Sequence, residues 1–274
     1  MAIVTGARRG IGRETALILA ETGADVAICD LVADTGELAG VAQDIKKFGR
    51  RAFMGKVDVK NKNEVDEFVG KTIQELGGVD ILINNAGVGS SMGPAEKEKF
   101  EATRERMQER MQWFQENPRI AMWQEADWDA VMGVNLKSIL FFTQAVAGSM
   151  IKKHHGAIVN VSSVMAFSHG ASLLSAYSVS KRGIVSLTEG LAGDLGKFGI
   201  RVNAIAPGGI ETEMMRYVWG VPERLKNIQE KMTLGNQLIK PASCAQLILF
   251  LASEPSSFIT GQTISIDGGL MLNM

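Results

Sequence analysis

The sequence predicts an α/β fold in which one doubly wound sheet of seven parallel strands is covered by helices on both faces. Seven short β-branched or apolar runs alternate with longer segments whose apolar residues have helical spacing. Parallel strands need such helical crossovers, and the 30 glycines gather at segment ends, where helices stop. No linker rich in proline, glycine or serine divides the chain, so residues 1–274 are predicted to form a single domain.

The predicted elements follow one another along the whole chain. The strands are expected at residues 2–5, 24–29, 52–59, 79–83, 157–161, 201–205 and 263–266. The helices are expected at residues 11–22, 34–48, 62–76, 126–152, 175–197 and 242–252. Residues 209–241 lack a strand pattern and hold several methionines, so they are predicted to form a cap over a substrate pocket.

A second segment, residues 90–125, also breaks the alternation of strands and helices. Its charged run contains Phe100, Met107, Met111 and Phe114 at spacings that place them on one face of a helix. A helical insertion is therefore predicted. Two interpretations stay open: a solvated helix whose apolar stripe rests on the domain, or a lid or subunit-contact element beside the substrate entrance.

Composition excludes several classes of function. The chain has 29 basic and 30 acidic residues, a net charge of -1, which argues against nucleic-acid binding and against a polybasic membrane anchor. Two cysteines form no disulfide framework, and with three histidines they show no zinc-ligand spacing, so no metal is expected. The sequence shows no signal peptide and no apolar run long enough to span a bilayer. We therefore expect a cytoplasmic protein.

A glycine-rich loop, TGARRGIG at residues 5–12, follows the first predicted strand and opens the first predicted helix. Glycines allow a tight turn and a close approach of the backbone to a pyrophosphate, and the helix N-terminus supplies unpaired N–H groups. Asp30 stands 18 residues after Gly12 at the end of the second strand, near the spacing at which a carboxylate meets the adenosine ribose. The pattern indicates a dinucleotide site.

The acidic residue also bears on which dinucleotide binds. Asp30 can accept hydrogen bonds from ribose hydroxyls and would repel a 2′-phosphate, which favours NAD(H) over NADP(H). Arg8 and Arg9 argue the other way, because a basic residue in this loop can reach a 2′-phosphate. We give Asp30 more weight and predict NAD, with NADP as the alternative.

Tyr177 and Lys181 lie four residues apart on a predicted helix and therefore share one face. An ammonium beside a phenol lowers the phenol pKa from its usual value near 10. A phenol tuned in this way can exchange a proton with an alcohol or a carbonyl. The spacing alone is weak support, because an amphipathic helix face often carries such a pair.

Further motifs appear in a definite order. They are the Asp58-Val59 pair, NNAG at 84–87, Asn135 within a helix, Ser162-Ser163 at a strand end, Pro207-Gly208, and IDGG at 266–269. With the glycine-rich loop and the Tyr177–Lys181 pair, this set resembles the short-chain dehydrogenase/reductase family over essentially the whole chain. The resemblance implies a Rossmann-like domain, an NAD(P)-dependent alcohol dehydrogenase or ketone reductase, and a homotetramer or homodimer.

The resemblance also implies a role for each matching position. Tyr177 would be the acid/base, and Lys181 would lower its pKa and hold the nicotinamide ribose. Ser163, with Ser162 as the alternative, would bond the reacting oxygen. Asn135 would hold a water that links Lys181 to solvent, through a local helix distortion. The implied cofactor contacts are Gly6, Arg9, Gly10, Ile11, Gly12, Asp30, Leu31, Asp58, Val59, Asn85, Ala86, Gly87, Tyr177, Lys181, Pro207, Gly208, Ile210 and Thr212.

The substrate is predicted less directly, from residues expected near the reacting atoms. These are Met165, His169, Met214, Met215 and Trp219, which are mostly apolar and adaptable. They favour a medium-sized, largely apolar secondary alcohol or ketone, such as a steroid, a terpenoid, a cyclic alcohol or a keto ester. The alternatives are a sugar or polyol dehydrogenase, an NADPH-dependent 3-oxoacyl-carrier reductase, and a non-catalytic nucleotide-sensing protein with the same fold.

Overall fold

A computed structural model describes residues 1–89, 124–168, 175–215, 222–235 and 237–273. The predicted insertion at 90–125 therefore lies outside the described residues, apart from its last two positions. Two of the expected substrate residues, His169 and Trp219, also lie outside them.

Seven parallel strands form a single sheet, as predicted. They are β1 (Ala2–Thr5), β2 (Val26–Asp30), β3 (Ala52–Lys56), β4 (Ile81–Asn84), β5 (Gly156–Val161), β6 (Ile200–Pro207) and β7 (Thr263–Ile266). Their order across the sheet is β3-β2-β1-β4-β5-β6-β7. The chain runs outward in opposite directions from β1 and β4, so the crevice beyond the carboxyl ends of these two strands is the place where such sheets bind ligands.

Helices cover both faces of this sheet. The described α-helices are α1 (Gly10–Glu21), α2 (Glu37–Lys47), α3 (Lys62–Leu76), α4 (Glu125–Met132), α5 (Ser138–Lys153), α6 (Ala176–Leu195), α7 (Pro222–Lys231) and α8 (Pro241–Ala252). One apolar cluster joins α1, α2 and α8 to one face, and a second joins α3, α5 and α6 to the other. The doubly wound α/β fold is thereby confirmed.

The central strands β1, β2, β4, β5 and β6 are largely apolar because both of their faces are buried. In β1, Ala2 and Val4 contribute to one cluster while Ile3 contributes to the other, and β2 alternates in the same way. A strand buried on both faces shows a continuous apolar run rather than an alternation of apolar and polar residues. This explains why the strands were visible as short apolar runs in the sequence.

One helical stretch, Glu125–Lys153, is long and apolar enough to cross a membrane by length and composition alone. One face of it, however, lies in the protein interior: Phe142, Val146 and Met150 are fully buried in the cluster that faces the sheet. Core helices of soluble proteins commonly have this composition. The stretch is therefore explained as a core element of the domain.

Several predicted boundaries were wrong by a few residues. The strand expected at 52–59 ends at Lys56, because the backbone N–H of Asp58 donates to the Glu64 carboxylate (2.8 Å) and the chain turns towards α3. The strand expected at 24–29 begins at Val26 and includes Asp30. The segment 209–241 contains α7, which was not predicted. This helix is tied to the C-terminal turn by a hydrogen bond from Asn273 to the Lys231 carbonyl (2.8 Å).

Candidate active site

The glycine-rich loop is fixed against the end of β4. The side-chain amide of Asn85 donates to the carbonyls of Thr5 and Gly6, each at 2.9 Å. Gly6 has a φ of +63°, and a Cβ atom there would lie 2.8 Å from the Cα of Ala86. Only glycine combines this left-handed conformation with this close approach. The sequence predicted Asn85 as a cofactor contact, and its amide is used to hold the loop.

The loop has the features that a bound pyrophosphate requires. Helix α1 begins at Gly10 directly after the loop and has no side-chain cap. Its first N–H groups therefore have no side-chain acceptor, and the positive end of the helix dipole lies beside them. Thr212 reaches the same loop, since its methyl group would lie 3.3 Å from a Cβ atom at Gly10. These residues fit a dinucleotide phosphate group.

We expect Gly12→Ala to disrupt this loop. A Cβ atom at Gly12 would lie 2.3 Å from the Gly6 carbonyl oxygen and 2.5 Å from the Asn85 amide nitrogen, so the loop backbone must move. The free energy of unfolding should fall by about 2 kcal/mol, and NADH binding should weaken at least about tenfold, measured by urea denaturation and nicotinamide fluorescence.

Gly40→Ala is the matched control for this substitution. Gly40 is also in a helix, but nothing lies within 4 Å of a Cβ atom built there. This variant should gain about 0.5–1 kcal/mol of stability, because alanine is the better helix former. Equal stability and equal NADH affinity in the two variants would contradict the steric argument.

Asp30 closes β2 beside the loop and carries a network of contacts. One carboxylate oxygen accepts from the Val32 backbone N–H (3.1 Å), and the other accepts from the Arg8 backbone N–H (3.4 Å). The Arg8 guanidinium Nε lies 3.6 Å from the same carboxylate, and its Nη1 donates to Glu37 at the start of α2. Leu31, the neighbouring residue, is half exposed. Asp30 is thus rigidly oriented at the position predicted for the adenosine ribose.

Asp58 and Val59 follow β3 on the adenine side of the predicted site. The Asp58 carboxylate accepts from the Lys60 backbone N–H (3.0 Å) and retains partial exposure, while Val59 is buried. The Glu64 side chain holds the segment in place through the Asp58 N–H and the Asn61 amide. These hydrogen bonds attach the segment to the first turn of α3.

The two serines after β5 have different partners. Ser162 is buried and its hydroxyl donates to the Lys181 carbonyl (2.8 Å), so this hydroxyl proton is used to attach α6 to the sheet. The Ser163 oxygen accepts from the Met165 N–H (3.2 Å) as the cap of a short 3-10 turn, Val164–Ala166. The Ser163 hydroxyl keeps its own proton for another acceptor. This difference favours Ser163 as the serine that donates to a substrate oxygen.

Lys181 is a buried cation beside Tyr177. Its ammonium nitrogen lies 5.5 Å from the centre of the Tyr177 ring and donates to the Val161 carbonyl (2.8 Å). Only 4% of the residue is exposed, and burial lowers the pKa of Lys181 to about 8. A charge held in this way is costly for the fold, because no carboxylate among the described residues compensates for its removal from water.

Asn135 lies in a π-helical turn, Gly133–Lys137, between α4 and α5. Its side-chain oxygen accepts from the Val88 N–H (2.8 Å), and its amide nitrogen donates to the Val88 carbonyl and to the Ser180 hydroxyl, both at 3.0 Å. Ser180 in turn donates to the Tyr177 carbonyl (2.7 Å). The NNAG segment and the helix of Tyr177 are thereby joined through one amide.

The sequence did not predict two groups of residues that contribute to this region. Ser180 lies inside the Tyr177–Lys181 motif, and its complete burial could not be inferred from one-dimensional spacing. Asn84 donates to Asn160 (2.8 Å), and Asn160 donates to Thr188 (2.9 Å), which forms a buried chain from β4 through β5 to α6. The only signal for this chain was the presence of amides within otherwise apolar strands.

The remaining predicted residues lie along the C-terminal side of the crevice. Pro207 ends β6, and a Cβ atom at Gly208 would lie 2.8 Å from the Cα of Asp267, so the two loops touch. Ile210 is buried and pairs with Ile239 across the base of the 209–241 segment. The residues expected near the substrate that the structure describes are Met165 in the turn after Ser163, and Met214 and Met215 in a 3-10 turn after β6.

Comparisons with known proteins agree with this geometry. The short chain dehydrogenase profile matches residues 1–220. The chain is 36% identical over 271 residues to a 3-oxoacyl-[acyl-carrier-protein] reductase from Thermotoga maritima, covering 98% of this chain and 97% of that protein. It is 36% identical over 273 residues to a subunit of (2S)-[(R)-hydroxy(phenyl)methyl]succinyl-CoA dehydrogenase from Thauera aromatica, covering 99% and 96%.

A solved structure is similar over nearly the same length. A 7α-hydroxysteroid dehydrogenase complexed with NADH and 7-oxo glycochenodeoxycholic acid matches with a TM-score of 0.81 at 30% identity, covering 98% of this chain and 92% of that one. The chain belongs to the short-chain dehydrogenase/reductase family. It is therefore an oxidoreductase that uses a nicotinamide dinucleotide, NAD(P), on a small-molecule substrate.

Proposed function

We propose that this enzyme transfers a hydride between NAD(H) and the carbinol carbon of a secondary alcohol or ketone, with Tyr177 as the proton donor and acceptor. The observation that carries the proposal is Lys181, a buried cation 5.5 Å from the Tyr177 ring. Among the described residues no carboxylate forms a salt bridge with it. A fold retains such a charge at a cost, and a phenolate beside it is the group that would benefit from it.

The proposed mechanism uses three side chains of this protein. NAD(H), when bound, supplies or accepts the hydride. In reduction, the Tyr177 hydroxyl gives its proton to the carbonyl oxygen, and the Lys181 charge stabilises the phenolate that remains. The Ser163 hydroxyl donates a hydrogen bond to the same oxygen and favours the charge that develops there. Oxidation of the alcohol uses the same groups in reverse, with Tyr177 taking the hydroxyl proton.

The hydrogen bonds of Asn135 would hold Tyr177, Lys181 and Ser163 in fixed relative positions. Its amide joins Val88, in the segment after β4, to Ser180 on the helix that bears Tyr177 and Lys181. We assign Asn135 the fourth place in the site, as the residue that orders a proton path between Lys181 and solvent. The π-helical turn at this position supports the assignment, because such turns often mark functional sites.

The preference for NAD(H) is supported by the contacts of Asp30. Its carboxylate is held by two backbone N–H groups, and it is available at its surface to accept from ribose hydroxyls. Arg8, a cation of the kind that attracts a 2′-phosphate, is engaged by Asp30 and Glu37.

An apolar substrate is supported by the residues that follow Ser163. Val164 packs with Met232 and Leu270 in a small buried cluster that anchors the turn Val164–Ala166. Met165 in that turn, and the partly exposed Met214 in the turn after β6, are adaptable apolar side chains that suit a steroid, terpenoid, cyclic alcohol or keto ester. Reduction of a 3-oxoacyl thioester is the second candidate, favoured by the two relatives whose names contain an acyl carrier protein and a CoA ester.

The proposal extends to assembly and location. Leu140 on α5 and Val179 on α6 are exposed apolar residues on the helices that the family uses for subunit contacts. We propose a homotetramer or homodimer in the cytoplasm, and sedimentation analysis of the purified protein tests the assembly.

A cofactor titration followed by a substrate panel tests the proposed function. NADH and NADPH are titrated by nicotinamide fluorescence, and NADH should bind at least about tenfold more tightly. Turnover is then measured with steroid, cyclic and keto-ester substrates, and with a 3-oxoacyl thioester. Turnover of the thioester alone would contradict the apolar alcohol or ketone and would identify reduction of a 3-oxoacyl thioester as the function. Stoichiometric NADH binding without turnover on any substrate would instead indicate a nucleotide-sensing protein.

A further inference from the structure

Arg8 lies between two carboxylates at the ribose end of the site. Its guanidinium faces Asp30 on one side and bonds to Glu37 on the other, and its side chain is only 15% exposed although Glu37 is 51% exposed. Hydrogen bonding from Arg8 lowers the pKa of Glu37, and the nearby charge of Arg9 acts in the same direction. Glu37 was not among the residues predicted from the sequence, because it lies in the first turn of α2 and outside every motif.

We propose that Glu37 is a cofactor-specificity residue that holds the Arg8 guanidinium against Asp30 and so withholds it from a 2′-phosphate. The inference rests on the proposed preference for NAD(H). It adds a second determinant to Asp30, one that acts through the position of a cation rather than by direct contact with the ribose.

Charge supports this role for Glu37. Two carboxylates face one guanidinium, and a 2′-phosphate would bring between one and two further negative charges to the same place. Arg13, further along α1, pairs with Glu14 and Asp44. A 2′-phosphate must therefore displace Glu37 from Arg8 before this guanidinium becomes its partner, whereas a ribose hydroxyl requires no displacement.

The hydrogen bonding of Arg8 supports the same assignment. Its Nε atom is buried, lies 3.6 Å from the nearest Asp30 oxygen, and has no hydrogen-bond partner among the described residues. This buried Nε lies on the Asp30 side of the guanidinium, so the charge is held at that carboxylate rather than presented to the ribose site. Glu37, which accepts from Nη1, keeps the guanidinium in that position.

The test compares three variants with the wild-type protein in binding experiments. Glu37→Gln removes the negative charge of Glu37 and with it the ion pair that holds Arg8. Glu67→Gln is the matched control, since Glu67 is a surface acid that also bonds to one cation, Lys71, far along α3. Arg8→Gln combined with Glu37→Gln removes the cation that Glu37 is proposed to hold. NADH and NADPH dissociation constants are measured by fluorescence, and 5′-AMP and 2′,5′-ADP are compared as competitors.

Glu37→Gln should strengthen NADPH and 2′,5′-ADP binding by about tenfold and change NADH binding by less than about threefold. Glu67→Gln should change the affinity for neither NADH nor NADPH. The double variant should bind NADPH no more tightly than the wild-type protein does. A Glu37→Gln protein that unfolds at the wild-type temperature and keeps the wild-type ratio of the two affinities would overturn the proposal. A gain that survives in the double variant would also overturn it, because it would then arise from net charge rather than from Arg8.

The wild-type titration separates this inference from the proposed function. Tighter NADPH than NADH binding in the wild-type protein would remove the NAD(H) assignment. The role of Glu37 is decided by the change in the affinity ratio between the variant and the wild type, whichever cofactor the wild type prefers.

Discussion

Tyr177→Phe is expected to lower kcat by about 10³-fold while the affinity for NADH changes by less than about twofold. The substitution removes one oxygen and leaves the ring, so the ring that lies 5.5 Å from the Lys181 ammonium is kept. The substitution thereby removes the group that is proposed to give a proton to the carbonyl oxygen as the hydride arrives. Ser163 can still donate a hydrogen bond, but its hydroxyl is too weak an acid to lose its proton at neutral pH.

The measurement is steady-state turnover with the best substrate of the panel, together with an NADH titration and a thermal unfolding curve. Ser162→Ala serves as a comparison from the same site, because that hydroxyl bonds to the Lys181 carbonyl and is not proposed to touch the substrate. A Tyr177→Phe enzyme that retains a tenth or more of the wild-type turnover would refute the assignment of the proton to this phenol.

Lys181→Met should lower turnover by about 10²–10³-fold and raise the stability of the ligand-free protein at neutral pH. Turnover falls because the charge that favours the phenolate is lost. Stability rises because the substitution removes a buried charge for which the described part of the chain supplies no carboxylate, and an apolar chain of similar length fills the same space. Activity and stability are therefore expected to change in opposite directions.

The lowered pKa of Lys181 determines how the free energy of unfolding changes with pH. Burial lowers the pKa of Lys181 to about 8 from 10.5. Between these two pH values the unfolded chain keeps the proton that the folded protein has released, so the stability contributed by this residue rises with pH. Below pH 8 the residue is charged in both states, and the folded protein carries a cost of about 3 kcal/mol. This cost falls as the pH rises through the interval.

The stability difference between Lys181→Met and the wild type should therefore be largest at pH 7 and should shrink steadily towards pH 10. Urea denaturation of both proteins at several pH values provides the measurement. Lys71→Met, at an exposed lysine, controls for the loss of one cation from the protein. A difference that stays constant across this range would show that the ammonium is not desolvated in the fold.

Much of the candidate site could be predicted because its residues belong to short local sequence patterns. The glycine-rich loop, the acid after β2 and the Tyr177–Lys181 pair each depend on residues that lie close together in the sequence and on one strand or helix end. Their meeting place also follows from the topology, since parallel strands present their carboxyl ends at the same edge. The fold class and the family followed from the same patterns.

The atoms that each residue uses could not be predicted in the same way. Ser162 and Ser163 are equivalent in the sequence, and only the three-dimensional structure distinguishes the hydroxyl that donates to Lys181. Asn85 is part of a family motif, but its amide bonds to the loop across the sheet. Helix α7 was missed because its residues are mostly polar, and Ile228, on one side of it, packs against a distant cluster around Val164.

The buried chain of Asn84, Asn160 and Thr188 has a consequence for how activity is lost. Each link joins a different element, and a small slide of α6 along the sheet would leave an amide in the interior with no partner. The helix that bears Tyr177 and Lys181 thus has one permitted alignment, and intermediate alignments are unfavourable. Catalytic geometry and the native core are gained together, so inactivation by denaturant should be all-or-none rather than gradual.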